Sequence, residues 1–107
     1  MQLERYTFVL LRRPADAPDM GEQELDDLQQ QHLAYLDELR QRGVLAVAGP
    51  FADQPDEAWR GFCLYRVDLD EARMLAEADP SVRAGRLAVD VMTWLTKPGA
   101  VAFPAGR

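Results

Sequence analysis

Residues 22–42 read EQELDDLQQQHLAYLDELRQR, and their spacing sets how the rest of the chain is read. Leu25, Leu28, His32, Tyr35, Leu36 and Leu39 recur at intervals of three and four, which gathers them on one face of a helix. Asp26, Gln30, Asp37 and Arg40 fall on the other faces. Acidic residues lead the segment and Arg40 and Arg42 close it, the charge order that a helix dipole favours. Gly43 then supplies a residue at ease in left-handed backbone, a common helix end. A helix with one apolar stripe must lie against something, and the flanking segments say what.

Upstream, Tyr6-Thr7-Phe8-Val9-Leu10-Leu11 is aromatic and β-branched and predicts a strand, apolar on both faces. Arg13 to Gly21, broken by Pro14 and Pro18, is expected to form an exposed loop. Downstream, Val44 to Ala48 predicts a strand stopped by Gly49-Pro50. A polar turn from Asp53 to Glu57 follows, and Arg60 to Val67 completes a hairpin. Leu69 to Ala78 predicts a shorter helix with Ala72, Leu75 and Ala76 inward, ended by Asp79-Pro80. In Leu87 to Leu95 the residues Leu87, Val89, Val91, Thr93 and Leu95 share one side, and Ala88, Asp90, Met92 and Trp94 the other.

The order β-α-β-β-α-β defines an α+β chain of the ferredoxin-like type, a four-stranded antiparallel sheet with two helices on one face. Two helices leave the second sheet face uncovered, and that face is apolar too. A second copy of the same sheet, in a two-fold dimer, is its simplest cover. One domain over residues 1–96 and a tail over residues 97–107 are expected, with Val101 and Phe103 available to dock on a partner.

Composition narrows the function. The chain has 107 residues, 48% hydrophobic and 28% charged, enough for one self-sufficient core. Its net charge of −6, with arginines spread thinly among acids, speaks against nucleic acid and anionic membranes as partners. Cys63 is the one cysteine, so no intrachain disulfide forms, which fits a reducing compartment. Residues 1–5 run into a strand without a leader's apolar core, and the longest apolar stretch, Val44 to Ala52, is too short to span a bilayer. A cytoplasmic location is expected. No zinc-type ligand spacing and no glycine-rich strand-to-helix loop is present, so neither a metal nor a cofactor is expected.

The stretch His32-Leu33-Ala34-Tyr35-Leu36, with Gly43 and Gly49-Pro50-Phe51 after it, resembles the first half of the YciI-like (YCII-related) family. Ala78-Asp79-Pro80-Ser81-Val82, then Ala84-Gly85 and a strand ending at Trp94, resembles the second half. The resemblance runs over about residues 4 to 96. It implies a dimeric α+β barrel with a cleft between helices and sheet where the family's His and Asp meet, here His32 and Asp79. Dehydrochlorination of a hydroxylated aromatic ring is an activity associated with a relative. Many members carry an aromatic residue after Asp-Pro, where this chain has Ser81. Related barrels hold haem through a histidine, for which one histidine is thin support.

The residues themselves leave two readings open. His32, the one histidine, is either a general acid/base titrating near neutral pH or a core histidine satisfied by a carbonyl or a tyrosine hydroxyl. Asp79 before Pro80 is a natural helix N-cap, and one carboxylate oxygen can cap while the other orients an imidazole. Ser81 is a nucleophile only with a base in reach, and otherwise bonds locally at a helix start. Tyr6, Tyr35 and Tyr65 are core or interface residues by pattern, any one of which could bring a hydroxyl to the cleft. Asp90, on the face of Met92 and Trp94, is expected to pair with an arginine at the interface rather than touch a substrate. The expected function is an enzyme acting on a small organic molecule by isomerisation or elimination, with His32 moving the proton. The alternative is a non-catalytic dimer module that binds a small ligand or another protein.

Overall fold

Strand alternation and helix periodicity give the same element order in the computed structural model, which describes residues 2–102. The elements are β1 (Glu4–Arg12), α1 (Glu22–Gln41), β2 (Leu45–Pro50), β3 (Trp59–Tyr65), α2 (Leu69–Glu77), α3 (Pro80–Arg83) and β4 (Ala88–Thr96). The strands form one antiparallel sheet in the order β2-β3-β1-β4, the ferredoxin-like arrangement.

Register assigns the two faces. Val9 lies between Cys63 and Val91, Thr7 between Tyr65 and Thr93, and Leu11 between Gly61 and Val89. This face takes the helices. Val9, Leu11, Cys63 and Tyr65 pack there against Leu36 and Leu39 of α1 and Ala72 and Ala76 of α2. Thr7, the polar residue in this row, is buried and donates its hydroxyl to the Val67 carbonyl at 2.8 Å, so no hydrogen bond is forfeited.

The opposite face carries Tyr6, Phe8, Phe62, Leu64, Met92 and Trp94. Phe8 stacks on Phe62 with ring centres 5.1 Å apart, Phe51 follows at 6.0 Å, and Tyr6 tilts against Trp94 at 6.3 Å. Met92 and Trp94 remain 43% and 41% exposed. Val101 packs on the Tyr6–Ala46–Leu64 cluster of this face, so within the chain it docks on its own sheet. Phe103 lies outside the described residues.

Two of three local details depart from the sequence reading, while the helix start at Asp79-Pro80 is as expected. Gly49-Pro50 does not stop β2 but ends it inside the sheet. β2 is an edge strand, and an edge tolerates a proline because only one side is paired. A third helix, the single turn α3, separates α2 from β4. The loop after β1 is tied at several points, since Arg13 N–H bonds the Ala58 carbonyl and the Pro18 carbonyl accepts from Arg86.

At Gly61 the backbone of β2 lies too close to leave room for a side chain. A Cβ there would sit 2.4 Å from the Gly49 carbonyl oxygen, whereas one on Gly49 meets nothing within 4 Å. We expect Gly61→Ala to lose roughly 2–3 kcal/mol in urea unfolding through forced strand separation, and Gly49→Ala to stay within about 0.5 kcal/mol of wild type.

Candidate functional site

Helix α1 presents His32 on its buried face, one turn before Leu36. The second component comes from the turn between α2 and α3. Helix α2 closes at Ala78, and Asp79 becomes the N-cap of α3 with Pro80 in its first turn. Asp79 Oδ1 accepts the Ser81 backbone N–H at 2.9 Å, and Oδ2 lies 2.7 Å from His32 Nδ1. Capping and imidazole orientation are therefore shared between the two oxygens of one carboxylate. Asp79 is 2% exposed and His32 9%, so the pair is held away from water.

Partner chemistry fixes the proton's place. Opposite an ionised carboxylate, which only accepts, a neutral imidazole in this position carries its hydrogen on Nδ1 and keeps its lone pair on Nε2. Among the described residues no buried side-chain nitrogen or oxygen lacks a partner, and Nε2 has no protein partner. It is thus not sealed in the core, and His32 lines a cleft of about 520 Å³. Leu25, Leu28 and Leu36 of α1 make one wall of this cleft. Ala48, Gly49, Pro50 and Gly61 make the opposing one, with Leu11 and Leu87 also lining it. The close Gly49–Gly61 approach thus shapes part of the site.

Ser81 also lines the cleft, yet its recorded bonds run through the backbone: its N–H goes to Asp79, and its carbonyl accepts from Arg86 and Leu87. Among the described residues no hydrogen bond joins its hydroxyl to His32, so the arrangement of an activated serine is not formed. Nor does any tyrosine line the cleft. Tyr35 donates to the Leu75 carbonyl at 2.7 Å, Tyr6 bonds Glu4 at the sheet's far face, and Tyr65 is buried in the core. Asp90 pairs with Arg12 at 2.8 Å, away from the cleft.

Three residues that sequence reasoning did not single out also line the cleft: Arg13, Arg60 and Arg86. Arg13 follows β1, and Arg86 sits in the turn before β4. Arg60 reaches the helix side through a bulge. Leu11 pairs with Gly61 and Arg12 with Trp59, leaving Arg60 as an extra residue that breaks the alternation. Burial lowers the Arg13 pKa from its ordinary value, and the neighbouring charges of Arg86 and Arg60 lower it further.

Behind the His–Asp pair lies a layer of groups kept neutral. Burial, reinforced by the Asp79 charge, pushes the Cys63 thiol up from 9.0 to about 12. Burial likewise raises Tyr65, helped by Cys63, Tyr35 and Asp79, and it raises Tyr35, helped by Asp79. Among the described residues no group of three His, Cys, Asp or Glu side chains is placed to hold a metal ion.

A ferredoxin-like α+β domain with a buried His–Asp pair opening on a helix–sheet cleft is the class of protein that fold and site define. The model of the YCII-related domain matches residues 6–95, and the chain belongs to that family. No curated protein matches. Among solved structures the chain is similar to the 5-chloro-2-hydroxyhydroquinone dehydrochlorinase of Burkholderia phenoliruptrix, solved in complex with 2,5-dihydroxybenzoquinone. The identity is 24% and the TM-score 0.61, over 83% of this chain and 92% of that one, a likeness of fold.

The raised thiol has a pH signature. The unfolded chain releases the Cys63 proton near pH 9, while the folded protein keeps it to about pH 12. Between these values the unfolded state binds fewer protons, so stability is full below pH 9 and falls as pH rises through the window. We expect the slope between pH 9 and 10 to be shallower in Cys63→Ala by about 1 kcal/mol per pH unit in urea titrations. Equal slopes would mean the thiol is not its source.

Proposed function

We propose that this chain is a small-molecule enzyme in which His32 Nε2 acts as the acid/base of an elimination or isomerisation. The observation that carries the reading is a cleft-lining histidine backed by a buried carboxylate that, among the described residues, bonds no other side chain. In an elimination, Nε2 would take a proton from carbon, the released electron pair would form the new double bond, and the leaving group would depart with its bonding pair. Asp79 would stabilise the imidazolium so formed and hold the ring in the tautomer that exposes Nε2. An isomerisation would use the same first step and return the proton to a different atom. The dehydrochlorinase of like fold is, by its name, an elimination enzyme, which makes halogenated hydroquinones the first compounds to try. Ser81 would fix Asp79 through its N–H, not act as a nucleophile.

The reading includes a homodimer through the outer sheet face. The Phe8–Phe62–Phe51 stack beside exposed Met92 and Trp94 is the kind of aromatic-rich surface that a partner copy desolvates. Among the described residues no helix is long and apolar enough to cross a membrane. A cytoplasmic setting, in which the single thiol stays reduced, completes the proposal.

Two outcomes are expected. With 5-chloro-2-hydroxyhydroquinone and related one-ring compounds, His32→Gln should cut chloride release at least about 100-fold with circular dichroism unchanged. Turnover that survives the substitution contradicts the acid/base role, and a panel that binds without turnover favours the non-catalytic ligand-binding module. In light scattering, wild type should run at twice the 12.1 kDa chain mass and Trp94→Glu at the chain mass. A monomeric wild type at high concentration refutes the dimer.

A further inference from the structure

The cleft has a charged side that proton transfer by His32 does not require. The chain carries 12 Lys and Arg against 18 Asp and Glu, yet three arginines from separate parts of the sequence converge on one small cavity. Their recorded partners are neutral. Arg13 Nε bonds the Arg86 carbonyl at 3.3 Å, Arg60 Nη1 the Glu57 carbonyl at 3.2 Å, and Arg86 Nη1 the Pro18 carbonyl at 2.9 Å. These bonds hold the guanidinium groups in place without neutralising them. Among the described residues no ion pair within 4.0 Å involves these three arginines. Asp26 lines the same cleft from α1 and is not ion-paired to any of them.

Gathering like charges is unfavourable unless something of opposite sign is meant to join them. A role as loop staples does not account for the set, because each carbonyl engages one nitrogen of its guanidinium and leaves the remaining N–H donors and the charge over. The bulge adds a second, independent observation. Without it Arg60 would follow the alternation of β3 and point to the outer face, and with it Arg60 joins the cleft. Most of the remaining lining is apolar, chiefly Leu11, Leu28, Leu36 and Leu87, with Asp26 and Gln29 at α1. A volume of about 520 Å³ suits one substituted ring or a chain of similar size.

We propose that Arg13, Arg60 and Arg86 form an oxyanion-binding subsite, so that the substrate is a small organic anion. Its carboxylate or ionised ring oxygen is held by the guanidinium forks while its apolar framework extends to His32. Guanidinium groups match planar oxyanions in shape as well as charge, which sets the orientation of the bound molecule. The assignment names the substrate class for the site described under the proposed function and rests on that reading for what happens after binding.

The test uses benzoate, 2,5-dihydroxybenzoquinone and the neutral benzamide, titrated calorimetrically into the intact protein and followed by the NMR signals of its one histidine. Wild type should bind at least one of the two anions about tenfold or more tightly than benzamide, and added salt should shrink the margin. The tighter anion tells whether a carboxylate or a ring oxygen is the natural handle. Arg60→Gln, at an exposed position, should remove most of that margin without unfolding the protein, and Arg60→Lys should restore part of it. Equal affinity for anion and amide, or a margin untouched by Arg60→Gln, overturns the subsite. His32→Gln separates the two proposals. Lost turnover with the anion preference intact supports both. Intact turnover with the preference present refutes only the acid/base role. Histidine-dependent turnover without the preference refutes only the subsite.

Discussion

The contact between His32 and Asp79 is, among the described residues, the hydrogen bond that joins α1 to the turn before α3. Helix α1 brings the imidazole and the turn before α3 brings the carboxylate, and both side chains leave water almost completely. Burying either group alone would cost several kcal/mol of lost hydration. Together, with the Ser81 N–H on the second oxygen, they satisfy one another. The pair therefore fixes where α3 sits against α1, and it leaves a single unsatisfied ring nitrogen, at the edge of the cleft. A helix of four residues has little stability of its own. Here the Asp79 cap, Pro80 in the first turn and the packing against α1 hold it, and its position in turn orients the histidine.

The sheet serves two purposes through strict alternation. Odd-numbered residues of β1 build the core beneath the helices, and even-numbered ones build an aromatic surface on the far side. The cleft forms where the amino-terminal half of α1 lies over β2 and the start of β3. There the small residues Ala48, Gly49 and Gly61 leave room that larger side chains would fill. The Arg60 bulge interrupts alternation at that place and turns a charged side chain toward the helix side. Cys63, Tyr65 and Tyr35 stay protonated behind the pair, so the Asp79 charge has the histidine as its ionisable partner.

Much of this was legible in the sequence because the deciding signals are local. The three-and-four spacing of Leu25 to Leu39 gave the long helix, the alternation of Leu87 to Leu95 gave the faces of β4, and Asp79-Pro80 announced a capped helix start. The meeting of His32 with Asp79 came from the family resemblance, since no spacing rule links residues so far apart. Convergence of Arg13, Arg60 and Arg86 left no trace: they stand among acids in the sequence, and only the return of β3 beside β1 brings them together. A one-residue bulge has no compositional mark either. Gly49-Pro50 misled because proline's missing N–H reads as a strand end, whereas at a sheet edge the cost is small. Apolar pattern marks the tyrosines as core or interface residues, but it does not say that a carbonyl such as that of Leu75 is near enough to take the hydroxyl away from the cleft.

The central claim is that Asp79 holds the His32 proton on Nδ1 and leaves Nε2 free. Nitrogen-15 NMR of the single imidazole reads this directly, because protonated and bare ring nitrogens resonate far apart. In the neutral ring of wild type the account predicts a protonated Nδ1 and a bare Nε2. In Asp79→Asn the amide oxygen would keep the Ser81 cap and its NH₂ would face Nδ1, driving the proton to Nε2. A wild-type ring protonated on Nε2, or a ring whose tautomer is the same in both proteins, would contradict the account.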